Sequence, residues 1–257
     1  MGKRLVALVQ ESANLTLSGA IEGPGHPALG QDAGEGAGAG RAGIPIQENI
    51  EAVLSESDVI IDFTAPHATL ATLEKALQYK KAMVIGTTGL GKTDLQTLHK
   101  LAPSIPCVFA PNMSVGINVL LNVLGKIVKA LGSDYDIEVI EAHHNKKKDA
   151  PSGTALKLAE VLAQAANWDI GTVGVFSRHG LIGERGSREI GIQTIRAGDI
   201  VGDHTVLFGG QGERIEITHR AHSRDTFARG ALRAAEWVVQ QPPGLYHMAD
   251  VLGLSDR

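Results

Sequence analysis

The stretch Glu141-Ala142-His143-His144-Asn145-Lys146-Lys147-Lys148-Asp149-Ala150-Pro151-Ser152-Gly153-Thr154 gathers more potential chemistry than any other part of the chain. It reads as the end of a strand, a basic loop, a proline turn and the start of a helix. Imidazoles and amines can give a proton to, or take one from, a carbon or nitrogen centre. A helix N-terminus presents free N–H groups to an anion, and a glycine such as Gly153 lets a ligand approach the backbone. With lysines beside it, such a place suits a small dicarboxylate. Taken singly, the residues have plainer readings. Adjacent histidines on a strand point to opposite faces and seldom share a metal, so no metal is expected. A run of three lysines is ordinarily a solvated loop. The combination between His143 and Thr154 favours a functional site, although the residues alone do not name the reaction.

Other places carry weaker signals of ligand contact. Glu22 ends an alternating segment, where a dinucleotide fold grips the adenosine ribose, yet an acid before Gly-Pro-Gly is also an ordinary turn residue. Gly86-Thr87-Thr88-Gly89 and Ala110-Pro111-Asn112-Met113 each follow a short apolar segment. Small residues at the carboxyl end of a parallel strand line the crevice where ligands bind, although each run could be a plain strand–helix loop. Arg196-Ala197-Gly198-Asp199 and Arg214-Ile215-Glu216-Ile217 read as sheet edges with salt-bridged faces, and Arg224 is a weaker ligand contact.

The elements that must position these residues follow from periodicity. Helical spacing runs from the first residues to about residue 11, and Leu15–Glu22 alternates as a strand. Eight glycines between 23 and 43 predict a long loop. Then come a short helix at Ile50–Leu54, strand Val59–Phe63, helix Pro66–Tyr79, strand Ala82–Gly86, helix Lys92–Leu101 and strand Pro106–Ala110. Strands alternating with helices of this length imply βαβ units and a parallel sheet. After Asn112 the rhythm changes. Ser114 can cap a helix with Ile117, Leu120, Leu124 and Val128 on its apolar face. Strand Ile137–Ile140 and helix Ser152–Ala166 follow. Three alternating segments near 189–197, 200–208 and 213–221 predict a mixed sheet, and a last helix spans about Ser223–Gln240. The fold class is α/β in two domains, a parallel-sheet domain and a mixed-sheet α+β domain, with the boundary near residue 113 and a return to the first domain at the C-terminal helix.

Composition removes several function classes. The 257 residues suit one large or two ordinary domains. A single cysteine, Cys107, excludes a disulfide framework and fits a reducing cytosol. A net charge of −4, and a lysine run with no interleaved aromatics, argue against nucleic-acid binding. The longest apolar stretch, 115–131, is broken by Asn118, Asn122, Lys126 and Lys129, which predicts an amphipathic helix and no membrane span. The N-terminal apolar run is too short for a signal peptide. Glycine is the outlier, at 31 residues, with aromatics at only 4%. That balance suggests backbone approaching ligands or other backbone.

The run E-A-H-H-N-K-K-K-D-A-P-S-G-T-A at 141–155 resembles the signature of the 4-hydroxy-tetrahydrodipicolinate (dihydrodipicolinate) reductase family. The resemblance continues through L-G-Q-D-A-G at 29–34, D-F-T at 62–64, V-I-G-T-T-G at 84–89, A-P-N-M-S-V-G at 110–116, R-A-G-D-I-V-G-D-H-T at 196–205 and S-R-D-T-F-A-R-G at 223–230. It implies a Rossmann-type dinucleotide-binding domain over 1–113 and 224–257, a central mixed-sheet α+β substrate domain over 114–223, and a cytoplasmic homotetramer that uses NADH or NADPH in the diaminopimelate route to lysine. His143 would be the catalytic acid/base and Lys147 the proton donor, with His144, Gly153 and Thr154 binding substrate. Glu22 would hold the adenosine ribose, while Gly86, Thr87, Thr88, Ala110, Pro111, Asn112 and Met113 would line the cofactor cleft. The implied chemistry is loss of water and then hydride transfer, with domain closure joining hydride and proton donors. Glu22, followed by Gly23 where some relatives carry arginine, leans toward NADH. The family opens with a strand and a G-x-x-G-[RK]-M-G loop, and Met1-Gly2 aligns with the end of that loop. An upstream start is therefore expected, the alternative being a cofactor-deficient relative that binds a dicarboxylate without turnover.

Overall fold

The computed structural model describes residues 1–255, so the last two residues of the expected 224–257 segment lie outside the described residues. In chain order the elements are α1 Gly2–Gln10, β1 Ala20–Ile21, α2 Ala33–Ala37, β2 Ile46–Gln47, α3 Glu51–Leu54, β3 Val59–Asp62, α4 Pro66–Tyr79, β4 Ala82–Ile85, α5 Lys92–Leu101 and β5 Pro106–Phe109. These are followed by α6 Val115–Leu131, β6 Asp136–His143, α7 Gly153–Ala165, α8 Ile170–Val173, β7 Gly174–Val175, β8 Ile190–Arg196, β9 Gly202–Gly209 and β10 Arg214–Ala221. The chain ends with α9 Asp225–Val238, β11 Gly244–Tyr246 and α10 Met248–Val251. It divides into two compact units, one of residues 1–115 with 224 onward and one of Gly116–Ser223.

In the first unit, β11-β5-β4-β3 form a sheet whose paired strands all run parallel. Side chains alternate across it, as the two-residue period of a strand requires. Ala82, Val84 and Val108 face α1 and α9 through Leu5, Leu8, Ala231 and Ala235. Met83, Ile85, Cys107 and Phe109 face α4 and α5 through Leu73, Ala76 and Leu98. Helices on both faces of a parallel sheet make the doubly wound arrangement expected from the alternating pattern. Pro66 opens α4, where a missing N–H costs nothing.

The structure corrects two readings in this unit. Leu15–Glu22 is not one strand. Only Ala20 and Ile21 pair, because their partner ladder on β2 is just Ile46–Gln47, and these two strands form a sheet of their own. Nor is 23–43 unbroken loop, since it contains α2, capped by Asp32. The Asp32 carboxylate accepts four backbone N–H groups, from Gly34, Glu35, Ala42 and Gly43. The last two lie ten and eleven residues down the chain, so the carboxylate folds the loop around itself. Those N–H groups hold its pKa below the usual value. Gly34 must lack a side chain, because a Cβ there would lie 2.3 Å from the Gly40 carbonyl oxygen.

The second unit is a five-stranded mixed sheet, β10-β9-β6-β8-β7, covered on one face by α6 and α7. Strands β6 and β8 run parallel, whereas β9 is antiparallel to both β6 and β10. Ile137 and Val139, Ile190 and Ile192, and Val206 and Phe208 meet Leu124, Val128, Leu158 and Leu162 in the core. By length and composition alone α6 and its extension, Val115–Asp134, could cross a membrane. Here its Leu120, Leu124 and Val128 lie in this core.

Candidate active site

Strand β6 runs to His143, beyond the Ile140 expected from its apolar residues. Its alternation carries Ile137, Val139, Glu141 and His143 onto the core side. A carboxylate on the buried face of a strand is costly unless it is paired. Glu141 is fully buried and is met by five donors. Arg196, opposite His143 in the parallel β6–β8 register, forks onto it with both Nη atoms at 2.8 Å. The Ser152 backbone N–H donates at 3.0 Å and the Thr194 hydroxyl at 3.2 Å. The fifth contact is His143 Nδ1, 2.6 Å from Oε2. Burial alone would push the Glu141 pKa up, but Arg196, His143 and the Ser152 amide outweigh it and hold the acid at about 2. The carboxylate is therefore ionised throughout the physiological range.

Around His143 the register adds His204 from β9, whose ring meets it edge-on at 5.2 Å between centroids. His204 Nε2 lies 3.0 Å from the Ser152 hydroxyl, which also caps α7 by accepting the Ala155 N–H. Burial, then the nearby His143, pushes the His204 pKa down to about 4, so this ring is neutral at neutral pH. The His143 pKa is also lowered, chiefly by burial, with Glu141 opposing the shift. Lys147 Nζ pairs with Asp149 at 2.9 Å. The turn closes through Arg196 Nη2 on the Asp149 carbonyl at 2.6 Å, and the Ala150–Pro151 peptide is cis. Gly153, first residue of α7, is exposed, and a Cβ there would meet nothing within 4 Å. The start of α7 thus offers an open approach to the backbone, a positive dipole end and a nearby lysine, as an anionic ligand requires. His144, the first residue past β6, is half-buried.

Within this unit the structure thus gathers His143, Arg196, Thr194 and the Ser152 N–H around the Glu141 carboxylate, while Lys147 pairs with Asp149 in the loop between β6 and α7. The sequence reading gave Glu141 and Ser152 no role of their own within the run and His204 none at all; it took Arg196 for a salt-bridged sheet-edge residue, and the salt bridge is there, to Glu141, although β8 lies inside the sheet. Parity was the available signal, because Glu141 shares its side of the strand with Ile137 and Val139. The partners depend on long-range register, which no local pattern gives.

The carboxyl-end rim of the parallel sheet, in the other unit, is built differently. Gly86 N bonds the Asp62 carbonyl at 2.8 Å and Ala110 N bonds that of Ile85 at 3.0 Å, so both loops leave the sheet in register. A Cβ on Gly86 would come within 2.3 Å of the Phe63 ring, so only glycine lets that ring pack against the β4 exit. Buried Asp62 accepts from Thr64 and from the Thr87 hydroxyl, and Thr87 accepts from Thr69 at 2.7 Å. Asn112 Oδ1 accepts the Ser114 N–H at 2.9 Å. A Cβ on Gly230 of α9 would lie 1.7 Å from the Met113 carbonyl oxygen, so that glycine lets α9 press on the Ala110–Met113 turn. A firm, small-residue rim suits a planar ring lying against backbone, which fits a nicotinamide nucleotide. Glu22 stands apart on the β1 exit, exposed, with Oε1 accepting the Gly23 N–H at 2.8 Å. Among the described residues no group of three or more His, Cys, Asp or Glu side chains is placed to hold a metal ion.

Comparison with known proteins matches both halves. Residues 1–113 fit the family model described as dihydrodipicolinate reductase, N-terminus, and residues 116–252 that described as dihydrodipicolinate reductase, C-terminus. A 4-hydroxy-tetrahydrodipicolinate reductase of Syntrophus aciditrophicus (strain SB) is 53% identical over 253 residues, covering 98% of this chain and 94% of the relative. One from Geotalea uraniireducens (strain Rf4) is 54% identical, covering 99% and 95%. Among solved structures, a dipicolinate-bound dihydrodipicolinate reductase from Paenisporosarcina sp. TG-14 shares the fold, with a TM-score of 0.73 at 24% identity over 97% of this chain and 94% of that one.

Proposed function

The chain belongs to the dihydrodipicolinate reductase family, and from that premise we propose that it reduces 4-hydroxy-tetrahydrodipicolinate to tetrahydrodipicolinate with NADH or NADPH, on the diaminopimelate route to lysine. The observation that carries this reading is the His143–Glu141 contact beside Lys147 and the open start of α7. Two carboxylates on the substrate ring account for the anion-seeking features. One is received by the backbone N–H groups at Gly153 and Thr154, the other by His144 and the lysine loop.

Reduction takes up one hydride and one proton and releases water, so the protein must bind, orient and move protons. When bound, the reduced nicotinamide supplies the hydride, delivered to ring carbon C4. Glu22 receives the adenosine ribose, and Gly86, Thr87, Thr88 and Ala110–Met113 form the wall beside the nicotinamide. Lys147 delivers the proton to the carbon next to the new C–H bond. His143, neutral near pH 7, takes a proton at Nε2 and returns it, which aids departure of the hydroxyl as water. The domain over 1–113 and 224–257 is the nucleotide domain and that over 114–223 the substrate domain. The sheet face of the second unit away from α6 and α7, with Ile195 exposed, is the contact through which the chain forms a cytoplasmic homotetramer.

Calorimetric titration of the purified chain with NADH, and separately with dipicolinate, tests the reading. Saturable binding of both is expected. Binding of dipicolinate alone would instead indicate a dicarboxylate-binding protein without turnover.

A further inference from the structure

Within the proposed reductase reading, we infer that Glu141 is the positioning residue of the site: its carboxylate fixes the His143 ring with the proton on Nδ1, so that Nε2 is the nitrogen that meets the substrate. An ionised carboxylate has only acceptors. At 2.6 Å, His143 Nδ1 must therefore be the donor, and a neutral ring then carries its lone pair on Nε2. The carboxylate cannot turn away, because Arg196, Ser152 and Thr194 occupy its remaining positions.

Arg196 has a second effect. Its charge offsets that of Glu141, so the carboxylate orients His143 without locking it into the charged form. Burial can then keep the ring neutral. The charged and titratable groups facing His143 are Glu141 on its own strand, Arg196 on β8, Lys147 in the following loop and His204 on β9, with Asp149 held against Lys147 and Arg196.

Gly202 completes the arrangement. It sits on β9, on the same side as His204, and a Cβ there would lie 3.0 Å from His143 Nε2 and 3.4 Å from its Cδ2. Its φ lies outside the left-handed region, so alanine fits the backbone and the only cost falls on Nε2. Glycine at this position keeps that nitrogen clear.

The test uses the full chain with isotope-labelled histidine. Nitrogen NMR reads the tautomer, and the His143 signal is identified by its loss in His143→Gln. The wild type should show His143 neutral at pH 7.5 with the proton on Nδ1. Glu141→Gln should lose that preference and lower kcat on the order of 100-fold with KM within about three-fold, as for loss of a tautomer-fixing partner. Removing the carboxylate also removes what holds the His143 pKa up and leaves Arg196 unopposed. The acidic limb of the kcat profile should therefore move to lower pH. Gly202→Ala should keep the Nδ1 tautomer yet lower kcat about ten-fold or more. A wild-type His143 protonated on Nε2 would overturn the inference. So would a folded Glu141→Gln with wild-type turnover and an unmoved limb. If Glu141→Gln does not fold, the wild-type spectrum and Gly202→Ala decide. The tautomer is read without turnover, so an inactive wild type showing Nδ1–H would count against the reductase reading and leave Glu141's role standing.

Discussion

At the end of β6, five donors converge on one buried carboxylate. At the ends of β4 and β5, the side chains that matter are hydrogens, methyls and hydroxyls, and what they provide is room. Both places lie at the carboxyl ends of strands, yet they solve opposite problems. Proton chemistry needs imidazole and carboxylate out of water, and removing charge from water is tolerable only if every lone pair finds a donor. Holding a flat nucleotide needs a rim of small residues, and at Gly86 the Phe63 ring already fills the space a Cβ would take. The first place should therefore respond to loss of a charge or a hydrogen bond, and the second to added bulk.

The largest expected effect is at the first place. Lys147→Ala should lower turnover by 100-fold or more, the range for loss of a proton-transfer group. Its partner Asp149 is exposed, so the fold should survive, as circular dichroism would show. Turnover within three-fold of wild type would remove Lys147 from the proton path. At the second place, Gly86→Val should raise KM for NADH about ten-fold while leaving affinity for dipicolinate intact. Phe63→Ala in the same chain should recover part of the loss if the clash is the cause. A Gly86→Val that weakened dipicolinate instead would erase the contrast between the two places.

Smaller effects separate stability from catalysis. Ser152→Ala removes the cap of α7 and the partner of His204 together. Loss of a cap costs about 1 kcal/mol and a stranded buried nitrogen a similar amount, so about 2 kcal/mol should be missing in urea denaturation. The smallest effect is at Asp32. Its folded pKa is lowered, so its stabilisation is complete above the ordinary aspartate value and fades as pH falls below about 3.8 toward the depressed one. Asp32→Asn should melt earlier than wild type at pH 7, and the gap should narrow on acidification below pH 4. A gap that widened would mean that the carboxylate is not what holds the loop.

Sequence reading recovers elements where periodicity and end signals agree. Pro66–Tyr79 and Lys92–Leu101 form as the apolar spacing requires. It fails where pairing decides. Leu15–Gly19 alternates like a strand but has no ladder, and Ile46–Gln47 and Gly244–Tyr246 are too short to show a period. Around the candidate site, His143, Lys147 and Gly153 stand out by residue type. The residues that set their geometry do not. Arg196 lies 55 residues from Glu141 and Ser152 lies 52 from His204, and those contacts exist only because β6, β8 and β9 adopt one register.

Hydride transfer to the cyclic substrate is the activity that both places would serve. The most direct measurement follows NADH and NADPH absorbance at 340 nm with the purified chain, in the presence and absence of the freshly made product of dihydrodipicolinate synthase. The prediction is oxidation of the nucleotide that depends on that product, is inhibited by dipicolinate and is nearly abolished in Lys147→Ala. A folded wild-type chain that binds both ligands but oxidises neither nucleotide would contradict it.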